Sequence, residues 1–336
     1  MASQLHKTNF FLSLVLYLGV VFTVSCKKEE PVAQFPEEEQ IEFDHFTTSN
    51  SLLTSNNINC ITSIGGTQIW IGTDNGIAIL ENGVWQVVDT SSAQLSSNIV
   101  NAILETAGGE VWVATDYGIS VFDGVSWTHL TKQNSPLLVN KIRSLDQDAT
   151  GSIWVGTFSG GGLMRFDGTN WQSYTPANSG LPNNSVSNIR CVGNDVWIAT
   201  AGGLSQFSNG VWTTFTKQNS GLPHNSVYSI AHQNGKLWLG TDAGLAQFDL
   251  NTENWLVFDQ TNSTLSDGLI RPVCFASGNS IWVGTVSSGL HEYNGSEWTR
   301  YSSDNTNLPD DGVEALCYYQ SSLWIGTLNN GVFRLK

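Results

Sequence analysis

Charged residues are scarce in this chain of 336 residues, and basic residues are the scarcest. Only 13% of the residues are Asp, Glu, Lys or Arg, and 29 acidic residues against 14 basic ones give a formal net charge of −15. So acidic a surface repels phosphate backbones, which excludes nucleic-acid binding. Together with 13 Trp and 33 Gly, the low charge indicates packed strands and tight turns rather than long surface helices.

Motifs for catalysis or metal binding are also missing. The sequence has no nucleophile elbow, phosphate loop or paired-carboxylate motif. The five histidines that follow residue 40 lack the spacing that would bring two onto one metal: His45, His129, His224, His232 and His291. The segment Asp146-x-Asp148-x-x-Gly151 lacks the third ligand and the distal Glu of a calcium loop, so we interpret it as a turn. We predict no catalytic residue, cofactor or metal site.

What the sequence does contain is one pentapeptide motif that occurs seven times. I-W-I-G-T and its close variants recur 41 to 44 residues apart, and their tryptophans are Trp70, Trp112, Trp154, Trp197, Trp238, Trp282 and Trp324. A constant period of this length indicates a repeat architecture. Each repeat divides into four short apolar runs separated by Gly and Asn turns, which is typical of an antiparallel meander. Seven such units predict an all-β, seven-bladed β-propeller over residues 41–336.

The repeated pentapeptide fits the wedge-shaped space between two blades. Both faces of a blade are covered by neighbours, so in L-W-L-G-T the Trp fills the wedge and the small Gly or Ala beside it admits the neighbour's bulk. A second aromatic set lies 15 to 17 residues later, in the fourth strand: Trp85, Trp127, Trp171, Trp212, Trp255 and Trp298. Because both sets recur so strictly, we assign them to the core rather than to a sugar-stacking surface.

Only six of these second tryptophans exist, and the last repeat ends after its third strand. The segment F-D-H-F-T near the N-terminus matches W-T-T-F-T at residue 212, with Phe43 in place of Trp. We therefore predict that an N-terminal strand completes the last four-stranded blade and closes the ring.

The N-terminus reads as a secretion signal. Lys7 is followed by an apolar run from Phe10 to Val24, too short to span a membrane. T-V-S-C resembles the lipobox of bacterial lipoproteins, which implies a signal peptide over residues 1–25 and lipid on Cys26. Residues 26–40 have the composition of an acidic tether, and K-K-E-E resembles the surface-export signal of Bacteroidota lipoproteins. The expected location is the outer membrane, with the lipid as the membrane contact and the periplasmic or surface side left open.

The repeat pattern N-x-V-x-x-I, a Gly turn, I-W-[IV]-G-T and G-[IL]-x-x-F-D covers residues 41–336 and resembles the two-component regulator propeller repeat. In that family such propellers commonly form the extracytoplasmic sensor of hybrid histidine kinases, followed by a membrane span and a kinase. This chain has one ring and neither of those segments. The resemblance therefore implies the fold and a recognition role, and it does not imply phosphotransfer.

The remaining cysteines each lie in a short apolar stretch of a different repeat: Cys60, Cys191, Cys274 and Cys317. An even number in an oxidising compartment allows disulfides. Equivalent positions of neighbouring blades are, however, normally farther apart than the roughly 7 Å that a disulfide permits between Cα atoms. We predict free, buried thiols.

Recognition is expected where the repeats differ. The residue after the Val of N-x-V-x-x-I begins the channel-lining strand and varies: Asn59, Asn101, Arg143, Ser187, Tyr228, Arg271 and Glu314. We select Arg143, Tyr228, Arg271 and Glu314, with His224 on a rim loop, as ligand-binding candidates at one mouth of the channel. A structural alternative is an ion pair between Arg271 and Glu314. Asp74, Asp116 and Asp242 in T-D-x-G form either an acidic ring or, as we favour, caps of their own turns.

The leading functional hypothesis is an envelope lipoprotein whose monomeric propeller binds an unidentified glycan, peptide or envelope protein. One alternative is a metal-dependent lyase or hydrolase of the propeller type, similar to the streptogramin B lyase group. A second is a structural component of a surface export or adhesion complex. Metal analysis would separate the first two hypotheses, and co-purification from membranes would detect the third.

Overall fold

The computed structural model describes residues 42–158 and 160–335, and these residues form seven four-stranded antiparallel sheets. The predicted signal peptide, the tether and Cys26 lie outside the described residues. Within the described part, the helical content is a single 3₁₀ turn, Ser277–Asn279, and no helix is long and apolar enough to cross a membrane. The predicted seven-bladed propeller is confirmed.

Each blade runs from an inner strand beside the channel to an outer strand at the rim. Blade 1 consists of β2 (Ile58–Ile64), β3 (Gln68–Thr73), β4 (Gly76–Glu81) and β5 (Val84–Val88). Blade 2 consists of β6 (Val100–Glu105), β7 (Val111–Thr115), β8 (Gly118–Phe122) and β9 (Trp127–Leu130). Blade 3 consists of β10 (Ile142–Gln147), β11 (Ile153–Thr157), β12 (Leu163–Phe166) and β13 (Trp171–Tyr174). Blade 4 consists of β14 (Val186–Val192), β15 (Asp195–Thr200), β16 (Gly203–Ser208) and β17 (Val211–Phe215). Blade 5 consists of β18 (Val227–Gln233), β19 (Lys236–Thr241), β20 (Gly244–Asp249) and β21 (Trp255–Phe258). Blade 6 consists of β22 (Ile270–Phe275), β23 (Ile281–Thr285), β24 (Leu290–Tyr293) and β25 (Trp298–Tyr301).

Blade 7 is assembled from both ends of the described chain, as predicted. It contains β26 (Val313–Tyr319), β27 (Ser322–Thr327), β28 (Val332–Leu335) and the N-terminal β1 (Phe43–Phe46). The register pairs Phe43 with Leu335 and Phe46 with Val332. The N-terminal strand thus covers an edge that would otherwise be open.

The tryptophans of the repeated pentapeptide lie in the core, where each is between 1% and 6% exposed. The small residue beside them admits the next blade, as expected. A Cβ on Gly72 would lie 2.7 Å from Val100 Cγ1, and a Cβ on Gly326 would lie 2.4 Å from Ile58 Cγ2. The second set of tryptophans is only half-buried and stacks within the outer strands, as Trp171 does on Phe166 at 4.9 Å between ring centroids.

The four described cysteines are free thiols. Burial raises the pKa of Cys60 and of Cys317 to about 12, and that of Cys274 to about 11. Because the thiolate is the reactive form, these side chains act as small core residues at neutral pH.

Candidate functional site

Seven variable side chains meet at one end of the channel because every inner strand carries a β-bulge. In each blade, the register between the first and second strands shifts immediately after the first inner-strand residue, as between Ile142 and Ser144 in blade 3. The ladder skips the variable residue in every blade, and in blade 6 it skips Pro272 as well. A bulge redirects the side chain of a skipped residue. All seven line a central cavity of about 1070 Å³: Asn59, Asn101, Arg143, Ser187, Tyr228, Arg271 and Glu314. We call them the mouth ring.

Two members of the mouth ring connect neighbouring blades. Asn101 donates from Nδ2 to Asp116 Oδ1 at 2.9 Å and to the Ile142 carbonyl of blade 3 at 2.8 Å. Ser187 donates from Oγ to the Val227 carbonyl of blade 5 at 2.6 Å. These contacts satisfy inner-strand carbonyls, so both side chains hold the ring together.

Arg271 and Glu314 lie on adjacent blades and form the ion pair that the sequence allowed. Arg271 Nη1 is 2.5 Å from Glu314 Oε2, and the Glu314 side chain is 11% exposed. Arg271 Nε is buried without a hydrogen-bond partner among the described residues. The pair neutralises one cation of the mouth ring while leaving one donor of the guanidinium unused.

Arg143 is the cation of the mouth ring that has no such partner. Within residues 42–158 and 160–335, no side chain or carbonyl forms an ion pair or hydrogen bond with its guanidinium, which is exposed to the cavity. Burial among the surrounding protein groups, followed by repulsion from Arg271, lowers its pKa, although Glu314 acts in the opposite direction. The charged guanidinium therefore sits where an anion would stabilise it.

Tyr228 also faces the cavity, and its hydroxyl is fixed. It donates to Asp242 Oδ1 at 2.8 Å, and burial together with this hydrogen bond raises the pKa of the phenol. His224 lies on the rim and is not among the residues lining the cavity. Its Nδ1 accepts from the Ser226 amide at 3.1 Å. A ring nitrogen that accepts carries no proton, so its 3.4 Å approach to Asp242 Oδ2 is not an ion pair in this tautomer.

The turn caps that we had assigned to the aspartates of T-D-x-G are made by the preceding threonines. Thr241 Oγ1 donates to the Gly244 carbonyl at 2.7 Å and accepts from the Ala243 amide at 3.1 Å. The aspartates extend to the rim instead: Asp116 Oδ2 is 3.1 Å from Lys141 Nζ. The favoured interpretation was therefore wrong, because a threonine hydroxyl at the strand end is closer to the turn than the next side chain.

The calcium-like segment is a turn, as interpreted. Asp148 Oδ1 accepts from the amides of Thr150 and Ser152 at 2.9 and 3.1 Å, and its Oδ2 accepts from Trp154 Nε1 at 2.8 Å. Asp146 Oδ2 accepts from the Cys191 amide of blade 4 at 2.7 Å. In the described part of the chain, no group of three His, Cys, Asp or Glu residues could hold a metal ion.

Sequence reasoning overlooked the apolar part of the mouth. Phe158 and Leu328 follow the second strands of blades 3 and 7, line the cavity, and are 44% and 43% exposed. They occupy the position at which blades 1, 2 and 5 carry the aspartates of T-D-x-G. A comparison of repeats at this position, as well as at the mouth ring, would have found them.

A family model matches the chain in two places. Residues 94–117 and 221–243 match the model described as two component regulator propeller. These two segments carry two-component regulator propeller repeats. This propeller has no match among curated protein sequences.

Solved structures with the same fold come from several functional classes. The extracellular domain of BT3049, a proposed hybrid two-component system of B. thetaiotaomicron, aligns with a TM-score of 0.73 and 20% identity over 88% of this chain and 42% of that one. Virginiamycin B lyase of Staphylococcus aureus gives 0.71 and 14% over 88% and 99%. PorZ, a surface component of the type-IX secretion system of Porphyromonas gingivalis, gives 0.68 and 16% over 83% and 46%.

At these identities the similarity shows the fold alone. The chain spans about two fifths of the BT3049 domain, at 42%.

Proposed function

We propose that this propeller is a sensor-like binding module of a bacterial cell envelope, and that the mouth of its channel binds a ligand through an anionic group. The observation that carries the proposal is Arg143, a guanidinium that faces a cavity of about 1070 Å³ without a protein partner. The Arg143 side chain is exposed to this cavity, so a ligand can reach it, and a guanidinium with free donors is well suited to bind a ligand's anionic group. The similarity to extracellular domains of regulators supports recognition as the role.

The net charge of the mouth agrees with this proposal. Two arginines and one glutamate among its seven members give the mouth ring a net charge of +1, whereas the whole chain carries −15. A ligand anion would therefore be repelled by most of the surface, including the rim aspartates, and attracted at Arg143.

Changing Arg143 to Ala is expected to abolish stabilisation of the full chain by small carboxylates and sulfates in a thermal-shift screen. Arg143 is expected to supply the main charge contact, so the shift seen with the unaltered protein should disappear while the melting temperature without ligand changes little. The matched control is Arg190→Ala, which removes an exposed arginine from the other end of an inner strand in the same cavity. Equal ligand-induced shifts in the Arg143 variant and the unaltered protein would refute the proposal.

We further propose that Cys26 carries the lipid that attaches the module to the outer membrane, as the resemblance of T-V-S-C to a lipobox implies. Changing Cys26 to Ala should then release the protein from the membrane fraction or leave an uncleaved precursor, measured by fractionation and immunoblotting. A variant that is fully cleaved and still membrane-bound would contradict this proposal.

A further inference from the structure

Exposed apolar side chains concentrate on one half of the face that carries the mouth ring. We call the end of the propeller at which the inner strands begin the mouth face. Six large hydrophobic residues of the described chain are exposed in its loops and turns: Leu52, Ile99, Tyr117, Leu138, Phe158 and Leu328. All six belong to blades 7, 1, 2 and 3 or to the loops between them. We call this set the apolar crescent.

The apolar crescent reaches the cavity at two points. Phe158 and Leu328 line the cavity together with Arg143. Phe158 is held by two contacts with Lys141. The Phe158 amide donates to the Lys141 carbonyl at 3.1 Å, and Lys141 Nζ lies 5.2 Å from the centroid of the Phe158 ring. Lys141 is in turn bound to Asp116 at 3.1 Å. The aromatic ring is therefore positioned in advance, which lowers the entropic cost of binding.

The cationic part of the mouth has room for one negative charge. Glu314 already pairs with Arg271, so at the mouth a ligand finds the guanidinium of Arg143. Arg190 lines the same cavity at the other end of the inner strands, where it interacts with the charge of Asp146. A polyanion would bring further charges next to Glu314 and the rim aspartates, where they would be repelled. A single carboxylate matches the guanidinium in charge and in planar geometry.

We propose that the mouth binds the terminal carboxylate of a chain that bears apolar groups, as at the C-terminus of an apolar peptide. This inference deepens the proposed function and rests on it. The carboxylate contacts Arg143 in the cavity, the last apolar side chain packs against Phe158 and Leu328, and preceding apolar groups lie along the apolar crescent. An isolated exposed apolar residue needs no explanation, whereas Phe158 and Leu328 are exposed in the same cavity as an unpaired cation.

The test measures binding of four probes to the full chain by isothermal titration calorimetry: N-acetyl-leucyl-phenylalanine, its C-terminal amide, glucuronate and sulfate. The free acid is expected to bind about tenfold or more tightly than the amide, because a charge-assisted contact is lost in the amide. Arg143→Ala should weaken binding of the acid by a similar factor and leave the amide unchanged. Phe158→Ala should weaken both probes equally, and Arg190→Ala should affect neither.

The outcomes separate this inference from the proposed function. If glucuronate or sulfate binds in an Arg143-dependent manner and the dipeptide acid does not, the inference is wrong and the proposed function stands. If no probe shows Arg143-dependent binding, both are wrong. An amide that binds as tightly as the acid overturns the carboxylate contact, and a Phe158→Ala variant with undiminished affinity overturns the apolar one. Circular dichroism of each variant checks that it is folded.

Discussion

Deleting residues 42–47 is expected to lower the melting temperature of the propeller by about 10 °C or more. The deletion removes β1, and with it the fourth strand of blade 7. Phe46 would no longer stack on Trp324 at 5.8 Å or meet the edge of Trp85 in blade 1 at 5.6 Å between ring centroids. The exposed edge of β28 would also become available for aggregation. Thermal unfolding followed by circular dichroism measures the loss.

A single substitution within the same strand is the matched control. Asp44 forms an ion pair with Arg334, whose guanidinium lies 5.4 Å from the Trp324 ring centroid. Asp44→Asn removes the charge while keeping the strand, so we expect a decrease of only a few degrees, in keeping with the small contribution of a partly exposed ion pair. The closure model fails if the deletion melts at the same temperature as the unaltered chain.

His291 should make the propeller less stable as the pH falls from about 6.5 to about 4. The side chain is fully buried, with Nδ1 2.9 Å from Thr264 Oγ1 and Nε2 3.3 Å from Ser288 Oγ. Burial, and then the charge of Arg300, lower its pKa from 6.5 to about 4, while Asp267 acts weakly in the opposite direction. Folding therefore favours the neutral ring, and the unfolded chain binds more protons in this interval.

The stability contributed by neutral His291 is fully present above pH 6.5 and is lost as the pH falls through the folded-state pKa. The linkage amounts to about 3 kcal/mol over the interval. The substitution His291→Ala introduces the residue that blade 5 carries at the equivalent position, Ala246. It should reduce the change in the free energy of unfolding over this pH interval, measured by urea unfolding at several pH values. Burial also lowers the pKa of His232, so part of the pH dependence should remain in the variant. The test therefore compares how steeply the free energy of unfolding changes with pH in the variant and in the unaltered protein. An unchanged slope in His291→Ala would refute the assignment, and His224→Ala serves as the control.

Much of the fold was predictable because every repeat reports the same local rule. The pentapeptide around Trp154 occurs in seven versions, so an accidental match in one repeat could not change the predicted fold. The missing fourth strand of blade 7 was also visible, since Phe43 stands where the other blades carry Trp. Closure followed from the count of strands rather than from any single contact.

The candidate site was predictable only in part. Comparison of the repeats located Arg143 and Tyr228 on the mouth ring, although nothing in the sequence marks the β-bulge that turns them into the channel. The same comparison assigned the caps to aspartates such as Asp242, whereas the structure assigns them to threonines. Phe158 was overlooked because an apolar residue after an apolar strand resembles one more core position.

The sequence by itself determined the number of blades, the four strands in each and the strand that closes the ring, because these depend on periodicity and on residues close together in the chain. The tertiary structure alone decided which charges are paired. Arg271 and Glu314 are 43 positions apart, and whether their long side chains meet depends on the rotation between two blades. Arg143 lies on a blade where no acidic side chain among residues 42–158 and 160–335 pairs with its guanidinium. That difference between two arginines at equivalent positions arises from packing across the channel, where residues distant in the chain become neighbours.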